Sequence, residues 1–304
     1  MLQDGARKDG KPGGYSSATI RKTHNTLSSV LRTAVEWEVI EQNPCNKVKP
    51  PSVPEISENI KFFTPEQAAR FLAYLDQAYT YKVSAHDRID DTGKSYHVDD
   101  YNIEKALPLQ IQVLLQLAIY TGARKAELIA LTWQDISFST DFITISKSVS
   151  VVDGKPIIKA PKTKTSFRKV AIPHSLTLKL KNLQIAQTEY RLRVGAYWKG
   201  SDWVFIQDDG TMMNYSTPYH TFQKIIKRYN QDRPLDQQLP LIPFHGLRHT
   251  AATLLVSSQL DLKSVSARLG HAQTSTTLNI YSHSLESNDR KAADTMESIL
   301  QKHA

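Results

Sequence analysis

The chain has 304 residues, a formal net charge of +8, 40% hydrophobic and 22% charged residues, and one cysteine. That composition fits a globular protein of one large or two smaller domains, and no apolar run approaches the ~20 residues of a membrane-spanning helix. The basic balance favours a polyanionic partner, either nucleic acid or an anionic membrane surface.

Met1-Leu2-Gln3-Asp4 lacks the basic-then-apolar pattern of a secretion signal, so a cytoplasmic protein is expected. Residues 1–15 are rich in Gly, Lys and Asp and read as a loop. A helix follows, with Ser17 as its cap and Ile20, Leu27, Leu31, Ala34 and Val35 on one stripe, and Asn43-Pro44 ends it. One such helix cannot bury its stripe alone, so its partners either precede Met1 or lie on a neighbour. Cys45 cannot form an internal disulfide and reads as a small, partly buried apolar residue. Residues 46–62, with Pro50, Pro51 and Pro54, read as a semi-stiff linker. Basic residues cluster at Arg21, Lys22 and Arg32, at Lys47 and Lys49, and between Lys159 and Lys169.

Thr64-Pro65-Glu66-Gln67 carries a helix N-cap, a proline at the first helical position and a capping-box glutamine. The polar, acidic stretch 80–103 reads as a surface loop. Residues 104–121 predict a buried central helix stopped by Gly122, and a second helix starts at once with Arg124 at its N-terminus. Arg124 is either a surface arginine or one held beside backbone N–H donors, as in an anion site. Residues 141–172 predict a small β-sheet with a hairpin turn at Asp153-Gly154 and a basic hairpin tip over 159–169. Helices are expected over 175–196, from Thr217-Pro218 and from His245, with a short strand at 202–206. Asp261 caps another helix and Gly270 stops it; Thr274-Ser275-Thr276-Thr277 caps the one carrying Tyr281, and the tail 285–304 is amphipathic.

His245-Gly246-Leu247-Arg248-His249 concentrates groups able to hold phosphate. His245 and Arg248 are three apart, and if both lie on the first helical turn they project from one face. His245 and His249 also have zinc-ligand spacing, but Arg248 lies between them and would repel a dication. Attack on a phosphodiester needs a nucleophile, cations for the non-bridging oxygens, a proton acceptor and a proton donor. Tyrosine, arginine, lysine and histidine supply all four without metal or cofactor.

These residues resemble the tyrosine recombinases, specifically integrases of phages and integrative conjugative elements. Thr121-Gly122-Ala123-Arg124-Lys125-Ala126-Glu127-Leu128 is similar to the box with the first catalytic arginine. Lys162-Thr163-Lys164-Thr165-Ser166-Phe167-Arg168-Lys169-Val170 is similar to the β-hairpin with the catalytic lysine; the pattern favours Lys162, with Lys164 competing. His245 to His249 and Leu269-Gly270-His271 resemble the later boxes, and Tyr281 falls at the nucleophile's place. The resemblance implies an α+β, mostly α-helical fold: a catalytic domain of helices around a small antiparallel sheet, preceded by a partial α-helical core-binding domain. Its divisions are 1–52 for that DNA clamp, 53–63 for a linker, 64–284 for catalysis and 285–304 for a tail helix that docks on a neighbouring protomer. The N-terminus is expected to be incomplete, since earlier clamp helices and an arm-binding domain are missing.

By that resemblance, Tyr281 attacks the scissile phosphate and forms a 3′-phosphotyrosyl link, while Arg124 and Arg248 hold the oxygens. Lys162 protonates the leaving 5′-oxygen, His245 acts as base or hydrogen-bond partner, and His271 steadies the phosphate. Glu127, Lys164 and His249 support, and Arg21, Lys22, Lys47, Lys49, Lys164 and Arg168 contact DNA. The implied partners are double-stranded attachment-site DNA, three further copies in a homotetramer formed from monomers, and accessory DNA-bending or directionality factors. The rival readings are a monomeric tyrosine topoisomerase and a DNA-binding fragment that cannot recombine.

Overall fold

A computed structural model describes residues 13–52, 61–160, 167–231, 233–258, 260–270, 296, 300 and 301. The chain divides into two compact units, Met1–Asn59 and Ile60–Ala304.

The first unit is built on α1 (Ser17–Glu36), none of whose side chains is buried. Its cap is Ser16 rather than the expected Ser17: the Ser16 hydroxyl accepts the Thr19 N–H at 3.2 Å. The helix stops at Glu36, earlier than Asn43-Pro44, because Glu38 enters the left-handed region at φ 57°. Asn43 instead caps a 3-10 turn, Pro44–Lys47, accepting the Cys45 N–H at 3.0 Å. Its amide donates to the Ser28 carbonyl at 2.9 Å, which ties the turn to α1 and buries Cys45.

In the second unit, α2 (Pro65–Leu75) starts with the Thr64–Gln67 capping box as expected. Phe63, assigned to the linker, is fully buried, and its N–H donates to the Thr250 hydroxyl at 2.9 Å. It packs on Phe71 with the rings tilted at 43° and centroids 5.4 Å apart, Phe71 meets Phe222 edge-on at 5.4 Å, and Phe222 meets Phe244 at 6.0 Å. A polar prefix and a proline-rich neighbourhood disguised an aromatic anchor.

The acidic stretch read as a loop is two nested antiparallel ribbons. β1 (Ala78–Val83) pairs with β4 (Tyr101–Ala106), and β2 (His86–Ile89) pairs with β3 (Ser95–Val98). Both faces are mostly exposed, so no hydropathic alternation marks the strands. The carboxylates are used locally: Asp90 accepts from the Thr92 and Lys94 N–H groups, each at 2.9 Å, and Asp87 meets His97 at 2.7 Å.

The buried helix α3 (Leu109–Thr121) follows, and Gly122 ends it in the left-handed region at φ 62°. A Cβ at Gly122 would lie 2.4 Å from Leu269 Cδ2, so glycine is required there for space as well as for conformation. After α4 (Lys125–Ile129), a three-stranded sheet has the order β5 (Ile136–Ser137), β6 (Phe142–Ile145), β9 (Arg168–Ala171). β7 (Ser148–Val152) and β8 (Lys155–Lys159) form a separate hairpin through Asp153 and Gly154, both at positive φ. Most of the expected basic hairpin tip, residues 161–166, lies outside the described residues; of its flanks, β8 pairs with β7 and β9 pairs with β6. The expected strand at 202–206 reduces to isolated bridges at Trp203 and Ile206.

Helices α5 (His174–Val194), α6 (Thr217–Asn230), α7 (His245–Ser257) and α8 (Leu262–Leu269) complete this unit. Asp261 caps α8 through the Lys263 and Ser264 N–H groups, and Gly270 ends it at φ 70°, both as expected. The architecture is α+β with helices predominating. Among the described residues no helix is long and apolar enough to cross a membrane.

Phe63→Ala removes a side chain the core has no means of refilling. The expected loss is about 3–5 kcal/mol, read as a lower urea midpoint with an unchanged denaturant slope.

Candidate active site

Four chain turns converge on one place: the end of α3, the start of α4, the start of α7 and the end of α8. Arg124 is the N-cap of α4, with extended backbone at φ −70° and ψ 148°. Glu127, three residues on, accepts the Arg124 N–H at 2.8 Å and Arg124 Nη1 at 3.1 Å. The side chain of Arg124 is thereby aimed while 41% of its surface remains exposed. Glu127 thus supports Arg124 directly.

Arg168, expected on DNA, lies inside the protein with 7% of its surface exposed. Its Nη2 and Nη1 donate to Glu127 Oε2 and Oε1 at 2.8 and 3.3 Å, and its Nε donates to the Arg268 carbonyl at 2.8 Å. A buried guanidinium needs acceptors in place of water, and Glu127, 6% exposed, supplies a carboxylate to Arg168. Burial alone would raise the Glu127 pKa. The hydrogen bonds and charge of Arg168, together with those of Arg124, outweigh it and hold the carboxyl below its ordinary value.

Arg248 is 3% exposed and donates Nη1 to the carbonyls of Gly122 and Leu269, each at 2.7 Å. One guanidinium thus joins the end of α3 to the end of α8. Gly246 lets α7 lie against the segment before α2, since a Cβ there would lie 2.6 Å from the Lys61 carbonyl oxygen. Arg124, His245 and Arg248 together line an open cleft of about 370 Å³, with Lys125, Tyr215 and Tyr219 at its margin. His245 and Arg248 do share one face, as their spacing predicted.

His249 does not line the cleft; its ring packs edge-on against His245 with centroids 4.8 Å apart. Desolvation, then the charges of His245 and Arg248, lower the His249 pKa to about 4. Desolvation, then Arg248 and Arg124, also lower that of His245. His245 lines the cleft, and its lowered pKa favours the neutral ring, the form that can accept a proton.

Sequence reasoning passed over three cleft residues. Lys125 sits with Nζ 3.7 Å above the Tyr215 ring, its pKa lowered by desolvation, and Tyr219 lies one turn along α6. The adjacency of Lys125 to Arg124 was the available signal; nothing local marked the tyrosines. Lys162, Lys164, His271 and Tyr281 lie outside the described residues. The described chain reaches Gly270, immediately before His271. Arg21, Lys22, Lys47 and Lys49 are exposed on the first unit. Two arginines, a lysine and a histidine around one cleft, with no carboxylate among the described lining residues, suit an anion with several oxygens.

A family profile described as the phage integrase family matches residues 92–288. A protein described as "Tyrosine recombinase XerC-like" from Caldanaerobacter subterraneus subsp. tengcongensis is 30% identical, over 94% of this chain and 67% of its own length. The ICEBs1 integrase of Bacillus subtilis is 27% identical over the same shares, 94% and 67%. Among solved structures, the Tn1549 transposon integrase in complex with a circular intermediate DNA shares the fold, with a TM-score of 0.67 at 20% identity, over 93% of this chain and 80% of that one.

Glu127→Gln leaves Arg168 buried without a counter-charge. It is expected to cost about 3–5 kcal/mol in chemical denaturation. The histidine pair sets a pH dependence. The unfolded chain takes up the His249 proton near 6.5 and the folded chain only near 4, so stability falls as pH drops through that window. Urea midpoints measured across it are expected to fall less steeply in His249→Gln than in the parent chain.

Proposed function

The chain belongs to the phage integrase family and is a tyrosine recombinase that breaks and rejoins DNA strands, and we propose that the cleft of Arg124, His245 and Arg248 receives the scissile phosphate. The observation that carries this reading is the convergence of two separately anchored guanidinium groups on one open cleft. Arg124 is aimed by Glu127, and Arg248 by two main-chain carbonyls. Each is oriented before substrate arrives, so little reorganisation accompanies charge development on the non-bridging oxygens.

In the proposed reaction the Tyr281 oxygen attacks phosphorus and the P–O5′ bond breaks. The tyrosyl proton passes to neutral His245 or is shared with it through a hydrogen bond. Lys162, with Lys164 as the competing residue, gives a proton to the departing 5′-oxygen, and His271 steadies the phosphate. The 3′-phosphotyrosyl ester retains the energy of the broken bond, so rejoining is attack by a 5′-hydroxyl without a nucleotide cofactor. Site-specific integration or excision of a mobile element in the cytoplasm is the biological setting. A homotetramer on DNA carries out strand exchange, with tail 285–304 docking on a neighbouring protomer and accessory bending or directionality factors assisting. Exposed Arg21, Lys22, Lys47 and Lys49 are offered as contacts to the DNA backbone.

A nicked suicide duplex containing the element's end tests the reading. The chain is expected to form a covalent adduct that Tyr281→Phe abolishes. Arg124→Ala should bind the same duplex with similar affinity but form adduct ~10²–10³-fold more slowly. Absence of any adduct leaves only a DNA-binding module. Adducts on any sequence, with supercoil relaxation and no joined products, indicate a topoisomerase.

A further inference from the structure

Arg168 is a buried cation that the mechanism above does not use, although it touches two of the segments that build the site. Its fork closes on both oxygens of Glu127, the carboxylate that aims Arg124. Its Nε holds the Arg268 carbonyl at the end of α8. The clasp is reciprocal, since Arg268 Nη2 donates to the carbonyls of Ala171 at 2.9 Å, on the strand of Arg168, and of Tyr120 at 2.8 Å. Gly270 packs directly on the guanidinium: a Cβ there would lie 2.6 Å from Arg168 Nη1.

We propose that Arg168 is a positioning residue for strand cleavage. It fixes Arg124 through Glu127, and through the Arg268 carbonyl it fixes the end of α8, whose Leu269 carbonyl holds Arg248, so a single side chain braces both arginines of the cleft. The inference rests on the phosphate-site reading above. Arginine is required because its planar fork serves a carboxylate with two N–H groups while a third meets a carbonyl; a lysine ammonium has no such fork. With 7% of its surface exposed, Arg168 has no face to offer DNA.

The test compares the full chain with Arg168→Lys and Arg168→Met. Melting temperature, affinity for the suicide duplex, and single-turnover adduct rate at saturating protein are measured below the melting range of each. The expected result is affinity within about threefold of the parent, an adduct rate ~100-fold lower for Arg168→Met, and a rate for Arg168→Lys no higher than about a tenth of the parent's. A parental rate in either folded variant overturns the proposal. So does a loss of affinity as large as the loss of rate, which would make Arg168 a DNA contact. Failure of both variants to fold overturns it too, leaving a residue of stability alone. A parent chain that forms no adduct overturns the phosphate-site reading itself, a separate outcome.

Discussion

One buried carboxylate organises the catalytic unit. Glu127 takes two N–H groups of Arg168 and both a backbone and a side-chain N–H of Arg124. Placing ionised groups in a poorly hydrated interior is unfavourable unless each oxygen and each N–H finds a partner. That requirement acts on the fold: β9 must run beside β6 in the register that sets Ile145 opposite Arg168, or the charges stay unpaired. Two cations around one anion leave a surplus positive charge, and Arg124 is the member whose side chain is partly exposed at the cleft. The same ion-pair cluster therefore stabilises the interior and delivers charge to the surface.

The other half of the site depends on chain ends rather than on charge. Gly122 and Gly270 both turn the chain in the left-handed region where a helix stops. A helix end leaves carbonyls without partners, and Arg248 takes those of Gly122 and Leu269. Two loose ends become one fixed junction, and the cost of burying an arginine is offset by two charge-assisted hydrogen bonds.

Much of this was legible from residue order. The Thr64–Gln67 box, the glycine stops at 122 and 270, the Asp261 cap and the Asp153-Gly154 turn are local chemistry, and each stands where expected. So does the pairing of His245 with Arg248 on one face, because three-residue spacing fixes direction within a helix. What escaped was non-local. Arg168 sits in a run of lysines and reads as one more surface cation, and only its distance to Glu127, 41 positions away in sequence, makes it internal. Phe63 follows a polar, proline-rich stretch, yet it completes an aromatic cluster drawn from α2, α6 and the approach to α7. The ribbons at 78–106 have neither face covered, so the periodicity that reveals a strand had nothing to act on.

The clasp between Arg168 and Arg268 also has a dynamic meaning. A short helix such as α8, eight residues long, would ordinarily fray independently at its end. Here that end cannot open without breaking the arginine contacts to β9, and freeing Arg168 would in turn expose a carboxylate at α4. Opening at the end of α8 is thereby coupled to β9 and α4 through one set of contacts, and amide exchange there is expected to be slower than in an untethered surface turn.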